Sequence, residues 1–167
     1  MIAAADRTQA LAADHPGVIA RPPRILYTFL IGGTLLEWLR PLPLLPAGWP
    51  AWARYGAGGG VLVASVALMA VAVRAFRRAG TNVETPKPTI ALVTDGIYGR
   101  TRNPMYVALA LLLAGITLLA NSGWLGLALV PFLAVLRVGV IAREERYLER
   151  KFGAPYALYR ARVRRWL

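Results

Sequence analysis

Apolar residues fall in four long blocks, residues 25–39, 56–72, 106–120 and 124–141, and Glu37 and Arg137 are the charges inside them. A helix packed on a soluble core interleaves charged positions at helical period, and these blocks do not. Their lengths approach the roughly 20 residues that cross a hydrocarbon layer, the first and third being short for it. The pattern predicts an all-α integral membrane protein of about four transmembrane helices. It divides into a flexible tail over 1–20, two helices over 21–80, and a polar loop, helical hairpin and amphipathic helix over 81–167.

The punctuation between the blocks supports that division. Pro22-Pro23, flanked by Arg21 and Arg24, opens the first helix, because proline fits a first turn and arginine reaches back to headgroups. Trp38, Trp49, Trp52 and Tyr55 gather around Pro41, Pro43 and Pro46, as an aromatic belt at the far interface requires. Gly56, Gly58, Gly59 and Gly60 open the second helix, which runs to Phe76, and let a neighbouring helix approach closely. Residues 79–103 form one long polar connection, a length that marks function or disorder. Asn103-Pro104 then starts the third helix, asparagine as cap and proline in the first turn. Asn121-Ser122-Gly123 is short enough to force an antiparallel hairpin, so the end of the fourth helix returns beside Asn103. Phe152, Tyr156, Tyr159, Val163 and Trp166 follow at helical spacing. They predict an amphipathic C-terminal helix, whose stripe serves equally for lying on the membrane interface and for docking on the protein.

Composition agrees, since 57% hydrophobic residues and a mean hydropathy of +0.48 are more than one soluble core of 167 residues hides. The net charge of +12 raises nucleic acid as a partner, and its placement argues against that. Eighteen of the 20 Lys and Arg residues precede the first block, lie between the second and third, or follow from Arg137 onward, leaving Arg40 and Arg54 for the other face. This is the positive-inside distribution, with both termini and the long middle connection cytoplasmic. In a bacterium the membrane is then the cytoplasmic one. With no cysteine, and with the one histidine, His15, in the tail, no metal site is expected. Glu37, an ionisable group in an apolar block, is a functional candidate by position, but Arg40 three residues on offers a neutralising partner.

Three motifs converge at the cytoplasmic end: Gly96-Ile97-Tyr98-Gly99-Arg100-Thr101-Arg102-Asn103-Pro104-Met105-Tyr106, then Arg143-Glu144-Glu145, then Phe152-Gly153 with Tyr156 and Tyr159. In this order, over Thr81 to Trp166, they resemble the isoprenylcysteine carboxyl methyltransferase and phospholipid methyltransferase superfamily. Its members carry a Gly-x-Tyr-x-x-x-Arg-His-Pro-x-Tyr string, a Glu-Glu pair and a Phe-Gly-x-x-Tyr-x-x-Tyr tail. The resemblance implies S-adenosylmethionine as cofactor, S-adenosylhomocysteine as product, and cofactor binding by Glu144 and Glu145. It also implies a lipophilic acceptor held in the bilayer: an isoprenylcysteine-like carboxylate, a phospholipid amine or a thiol.

Such a cofactor asks for a carboxylate near its ammonium or ribose, a cation or helix start near its carboxylate, and aromatic faces for adenine and sulfonium. Tyr98, Arg100, Arg102, Asn103, Pro104, Tyr106, Glu144 and Glu145 are accordingly the expected cofactor-binding residues. Arg102 and Tyr106 are the expected catalytic ones. Asn103 stands where the family has histidine; it can donate a hydrogen bond but cannot act as a general base near neutral pH. A carboxylate or thiolate acceptor is already nucleophilic and needs no base. A lipid amine must first lose a proton, for which Tyr106 or a glutamate is available. The competing reading is a non-catalytic membrane scaffold or binding protein that retains the fold, with Asn103 as its main support. A transporter fits less well, because the charged groups gather at an interface and not at the midplane.

Overall fold

The computed structural model describes residues 15–83 and 88–166. Among them the architecture is all-helical without a strand, the nearest thing being an isolated pairing of Pro43 with Ser122. The helices are α1 (Pro22–Leu39), α2 (Ala51–Arg78), α3 (Pro104–Ala120), α4 (Gly123–Val135), α5 (Ala142–Phe152) and α6 (Ala154–Arg162). A 3-10 turn, Gly96–Gly99, precedes α3. A wider π turn, Leu136–Ile141, joins α4 to α5, so Gly123–Phe152 runs on as a helix of 30 residues.

Two of these helices, α2 and Gly123–Phe152, are long and apolar enough to cross a membrane, whereas α3 is apolar but has 17 residues. Only 17% of the apolar window of α2, and 33% of that in Gly123–Phe152, is buried inside the protein. Val63, Val66, Val130 and Val138 instead face outward, an arrangement that a bilayer accepts and water does not.

Helix α2 lies along α3, and α1 lies along α4. Small residues set the first approach: a Cβ on Gly58 would sit 2.7 Å from Leu119 Cδ2, and one on Gly115 would sit 2.6 Å from Leu62 Cδ2 and 3.2 Å from the Gly58 carbonyl. The Ser65 hydroxyl donates to the Ala108 carbonyl at 2.7 Å across the same seam. Gly56, Gly59 and Gly60 face open space, so Gly58 is the member of the expected packing run that meets α3.

The far end of the bundle is tied by polar groups. The Glu37 carboxylate accepts the Leu42 N–H at 2.9 Å and the Ser122 hydroxyl. These contacts, and not the expected pairing with Arg40, satisfy it; the Arg40 carbonyl accepts the Trp124 indole N–H at 2.7 Å. Asn121, left-handed at φ +54, ends α3 and accepts the Leu45 N–H on its side-chain oxygen at 2.8 Å.

Two expectations about the ends are corrected. Residues 15–20 do not hang free: the Ile19 N–H donates to the Gly139 carbonyl at 3.2 Å, and Arg143 donates to the Gly17 carbonyl at 2.8 Å. Residues 1–14, including Asp6, Arg7 and Asp14, lie outside the described residues, as do Pro86 and Lys87. The C-terminal stripe is not one interfacial helix. Gly153, at φ +56, breaks it, α6 ends at Arg162, and Trp166 packs on the core beyond that end. Tyr156 and Tyr159 are buried at 1% and 4% exposure, so α6 docks on the protein.

Gly115→Val should force α2 and α3 apart at a cost of about 1–3 kcal/mol. In detergent it should melt lower than wild type, while Gly56→Val, in open space, should not.

Candidate functional site

The hairpin places the start of α3 beside α5, and the docked α6 closes the space between them. A cavity of about 420 Å³ results, within the range of small-molecule sites. Tyr98, Arg102, Asn103, Pro104, Tyr106, Glu144 and Glu145 line it together with Tyr147, Tyr156 and Tyr159. Arg100 does not line it; its N–H closes the 3-10 turn on the Ile97 carbonyl and its side chain is exposed.

The two glutamates have different surroundings. Glu145, 8% exposed, is gripped by Arg165, whose Nε donates to Oε1 at 3.0 Å and whose Nη2 donates to Oε2. Arg102 Nη2 pairs with the same Oε1 at 3.2 Å. The remaining donors of that guanidinium, Nε and Nη1, are buried without a hydrogen-bond partner of good geometry, although the Arg102 side chain lies close enough to the Tyr156 phenol to lower its pKa. Buried unpartnered donors are uncommon and mark a place for an acceptor.

Glu144 lies beyond the apolar part of its helix, which ends at Ala142. It accepts the Tyr106 hydroxyl at 2.7 Å. Burial pushes its carboxyl up to about 7, the Tyr106 hydrogen bond opposes that shift, and the charge of Glu145 adds to it. Among the tyrosines, burial raises the Tyr156 phenol to about 12, aided by Glu145 and opposed by Arg102. Burial likewise holds Tyr98 and Tyr159 above the ordinary tyrosine range. The Tyr159 hydroxyl donates to the Tyr98 carbonyl at 2.8 Å, and Phe76 packs on the Tyr98 ring at 5.1 Å between centroids. Together these contacts fix the first loop motif against α6 and α2.

Asn103 occupies the N-cap position of α3, and Pro104 follows in the first turn, but the asparagine side chain does not cap the helix. Its Nδ2 donates to the Arg165 carbonyl at 2.9 Å, an acceptor shared with the Thr101 hydroxyl at 3.3 Å. The Arg102 N–H donates to the Arg164 carbonyl at 3.0 Å. Residues 101–103 and 164–165 therefore run side by side, which brings Arg165 onto Glu145. Sequence reasoning missed Arg165, because in a row of basic residues its charge reads as one more interfacial anchor. The polar loop is also folded onto α5 and onto itself: the Thr89 N–H donates to the Tyr147 hydroxyl at 3.2 Å, and within the loop Thr81 Oγ1 accepts the Ile90 N–H at 2.9 Å.

A helical hairpin whose charged groups collect at one end of apolar helices, around one small-molecule cavity, has the architecture of a membrane-associated enzyme. The sequence model of the phospholipid methyltransferase family matches residues 53–155, well over half of the chain, and the chain belongs to that family. An uncharacterized protein of Haemophilus influenzae is 51% identical over 65 residues, which is 38% of this chain and 100% of that protein. No solved structure matches the chain.

Tyr106→Phe removes the hydrogen bond that lowers the Glu144 pKa, so the carboxyl should titrate above the wild-type value of about 7. Infrared titration of the protonated carboxyl band checks this, with Glu144→Gln identifying the band; an unshifted midpoint would contradict the assigned contact.

Proposed function

We propose that this protein transfers a methyl group from S-adenosylmethionine to an acceptor held in the bilayer, with four helices crossing the membrane and the site on the cytoplasmic side. Family membership supports methyl transfer in general. The observation that carries the cofactor reading is the pair of buried, unpartnered donors of Arg102, beside the Glu144 carboxylate in one cavity. A zwitterionic amino acid attached to a nucleoside matches that pairing: Arg102 takes the carboxylate, and Glu144 takes the ammonium or a ribose hydroxyl. Tyr98 and Tyr156 supply aromatic faces for the adenine and the cationic sulfur. The charge asymmetry along the chain supports the cytoplasmic placement.

Bound there, S-adenosylmethionine supplies an electrophilic methyl group. The protein holds the reacting groups in line and keeps water away, with Met69, Phe76 and Leu109 among the apolar residues of the wall. A carboxylate or thiolate acceptor needs no further help. An amine acceptor must also lose a proton, which Asn103 cannot take; Tyr106, whose hydroxyl is hydrogen-bonded to Glu144 at 2.7 Å, is the group available for it. The competing reading, a binding protein without turnover, is favoured by Asn103, whose amide is occupied by the Arg165 carbonyl.

Detergent-purified protein given methyl-labelled S-adenosylmethionine should label one of three acceptor classes: a prenylcysteine carboxylate, an aminophospholipid or a lipophilic thiol. Arg102→Gln should lower that rate by about a hundredfold through lost positioning. Cofactor binding without transfer to any class would favour the non-catalytic reading.

A further inference from the structure

Glu145 and Arg165 form a contact whose geometry exceeds what a surface ion pair provides. Arg165 covers both carboxylate oxygens of Glu145 in a fork, the arrangement in which a guanidinium saturates a carboxylate. What remains for Arg102 is one lateral contact from Nη2, at 3.2 Å. That partial engagement leaves Nε and Nη1 buried and without a protein acceptor on a residue that lines the cavity. Without Arg165, Glu145 would be a bare carboxylate with a fork-shaped donor beside it, and the two would close into their own bidentate pair. Arg102 would then have its donors turned onto protein and away from a ligand.

We propose that Arg165 is a positioning residue that acts through Glu145: it occupies the carboxylate so that the Arg102 guanidinium keeps donors unpaired by protein for a ligand carboxylate. The inference rests on the cofactor reading above and makes it more specific. Glu145, which the family resemblance groups with Glu144 as a cofactor ligand, becomes the anchor of Arg102, and Glu144 is left as the carboxylate available to the ligand. The backbone supports the arrangement. Arg165 is delivered to Glu145 by the paired segments 101–103 and 164–165, held by Arg102 N–H to Arg164 O at 3.0 Å and by Asn103 Nδ2 to Arg165 O at 2.9 Å. Asn103 then serves to orient the clamp without touching a proton, which accounts for a residue that cannot act as a base at that position.

Two ligands separate positioning from general loss of structure. S-adenosylhomocysteine carries the amino-acid carboxylate and ammonium, and 5′-methylthioadenosine keeps the nucleoside and thioether but lacks both. Calorimetric titration of the detergent-purified full chain should show that Arg165→Gln weakens S-adenosylhomocysteine by about tenfold or more, the range for a lost charged hydrogen bond. Binding of 5′-methylthioadenosine should change by less than about twofold, since the variant leaves the nucleoside contacts in place. Arg165→Lys, which keeps the charge but loses the fork, should recover part of the loss. Arg164→Gln, which removes a neighbouring exposed charge and keeps the backbone acceptor, should bind both ligands as wild type does. Equal weakening of both ligands in Arg165→Gln and Arg165→Lys would make the clamp merely structural and overturn the proposal, as would an unchanged S-adenosylhomocysteine affinity. Wild-type protein that binds neither ligand would overturn the cofactor reading itself, and this inference with it.

Discussion

Glu145 is a carboxylate taken almost entirely out of water, and Arg102 and Arg165 meet it from two sides. An ion in that position costs several kcal/mol of desolvation unless partners repay it, and removing a partner leaves an uncompensated charge. The three residues come from the polar loop, the first turn of α5 and the segment after α6. The site can therefore close only when these three parts of the chain have come together. The backbone pairing of 101–103 with 164–165, the Tyr159 hydroxyl on the Tyr98 carbonyl and the docking of α6 all follow from that convergence.

The rest of the molecule keeps the convergence in place. Between its two polar ends the bundle is held by shape, through the Gly58 and Gly115 seam and the Ser65 hydrogen bond, as expected where lipid replaces water outside and burial of apolar surface drives little. At the opposite end, Glu37 and Asn121 satisfy the backbone of the 42–45 turn and the α3–α4 connection. These unwound stretches thus find polar partners at the ends of the bundle, where an apolar solvent does not reach them.

The helices, the hairpin and the meeting of the loop motif with Glu144 and Glu145 were legible in the sequence, because they depend on block length, turn residues and motif order. What was not legible depends on long-range pairing. Glu37 had Arg40 three residues away as a local candidate, and its contacts come instead from Leu42 and from Ser122, 85 positions on. The π turn at Leu136–Ile141 has no reliable pattern, although Pro131 and Gly139 near it hint at a helix that is not uniform. Arg165 was hidden for a different reason: a cluster of arginines beyond the end of an apolar helix reads as a set of interfacial anchors, so nothing singles out the one that turns inward. Arg100 is the converse case, a motif residue whose place in a tight turn leaves it exposed.

This cluster is the proposed binding site for a methyl-donor cofactor. Calorimetric titration of detergent-purified wild-type protein with S-adenosylmethionine, beside a folded Glu145→Ala variant, tests it most directly. Wild type should bind saturably and the variant should not, because Arg102 is then no longer anchored. Folded wild-type protein that does not bind, or a variant that binds with unchanged affinity, would contradict it.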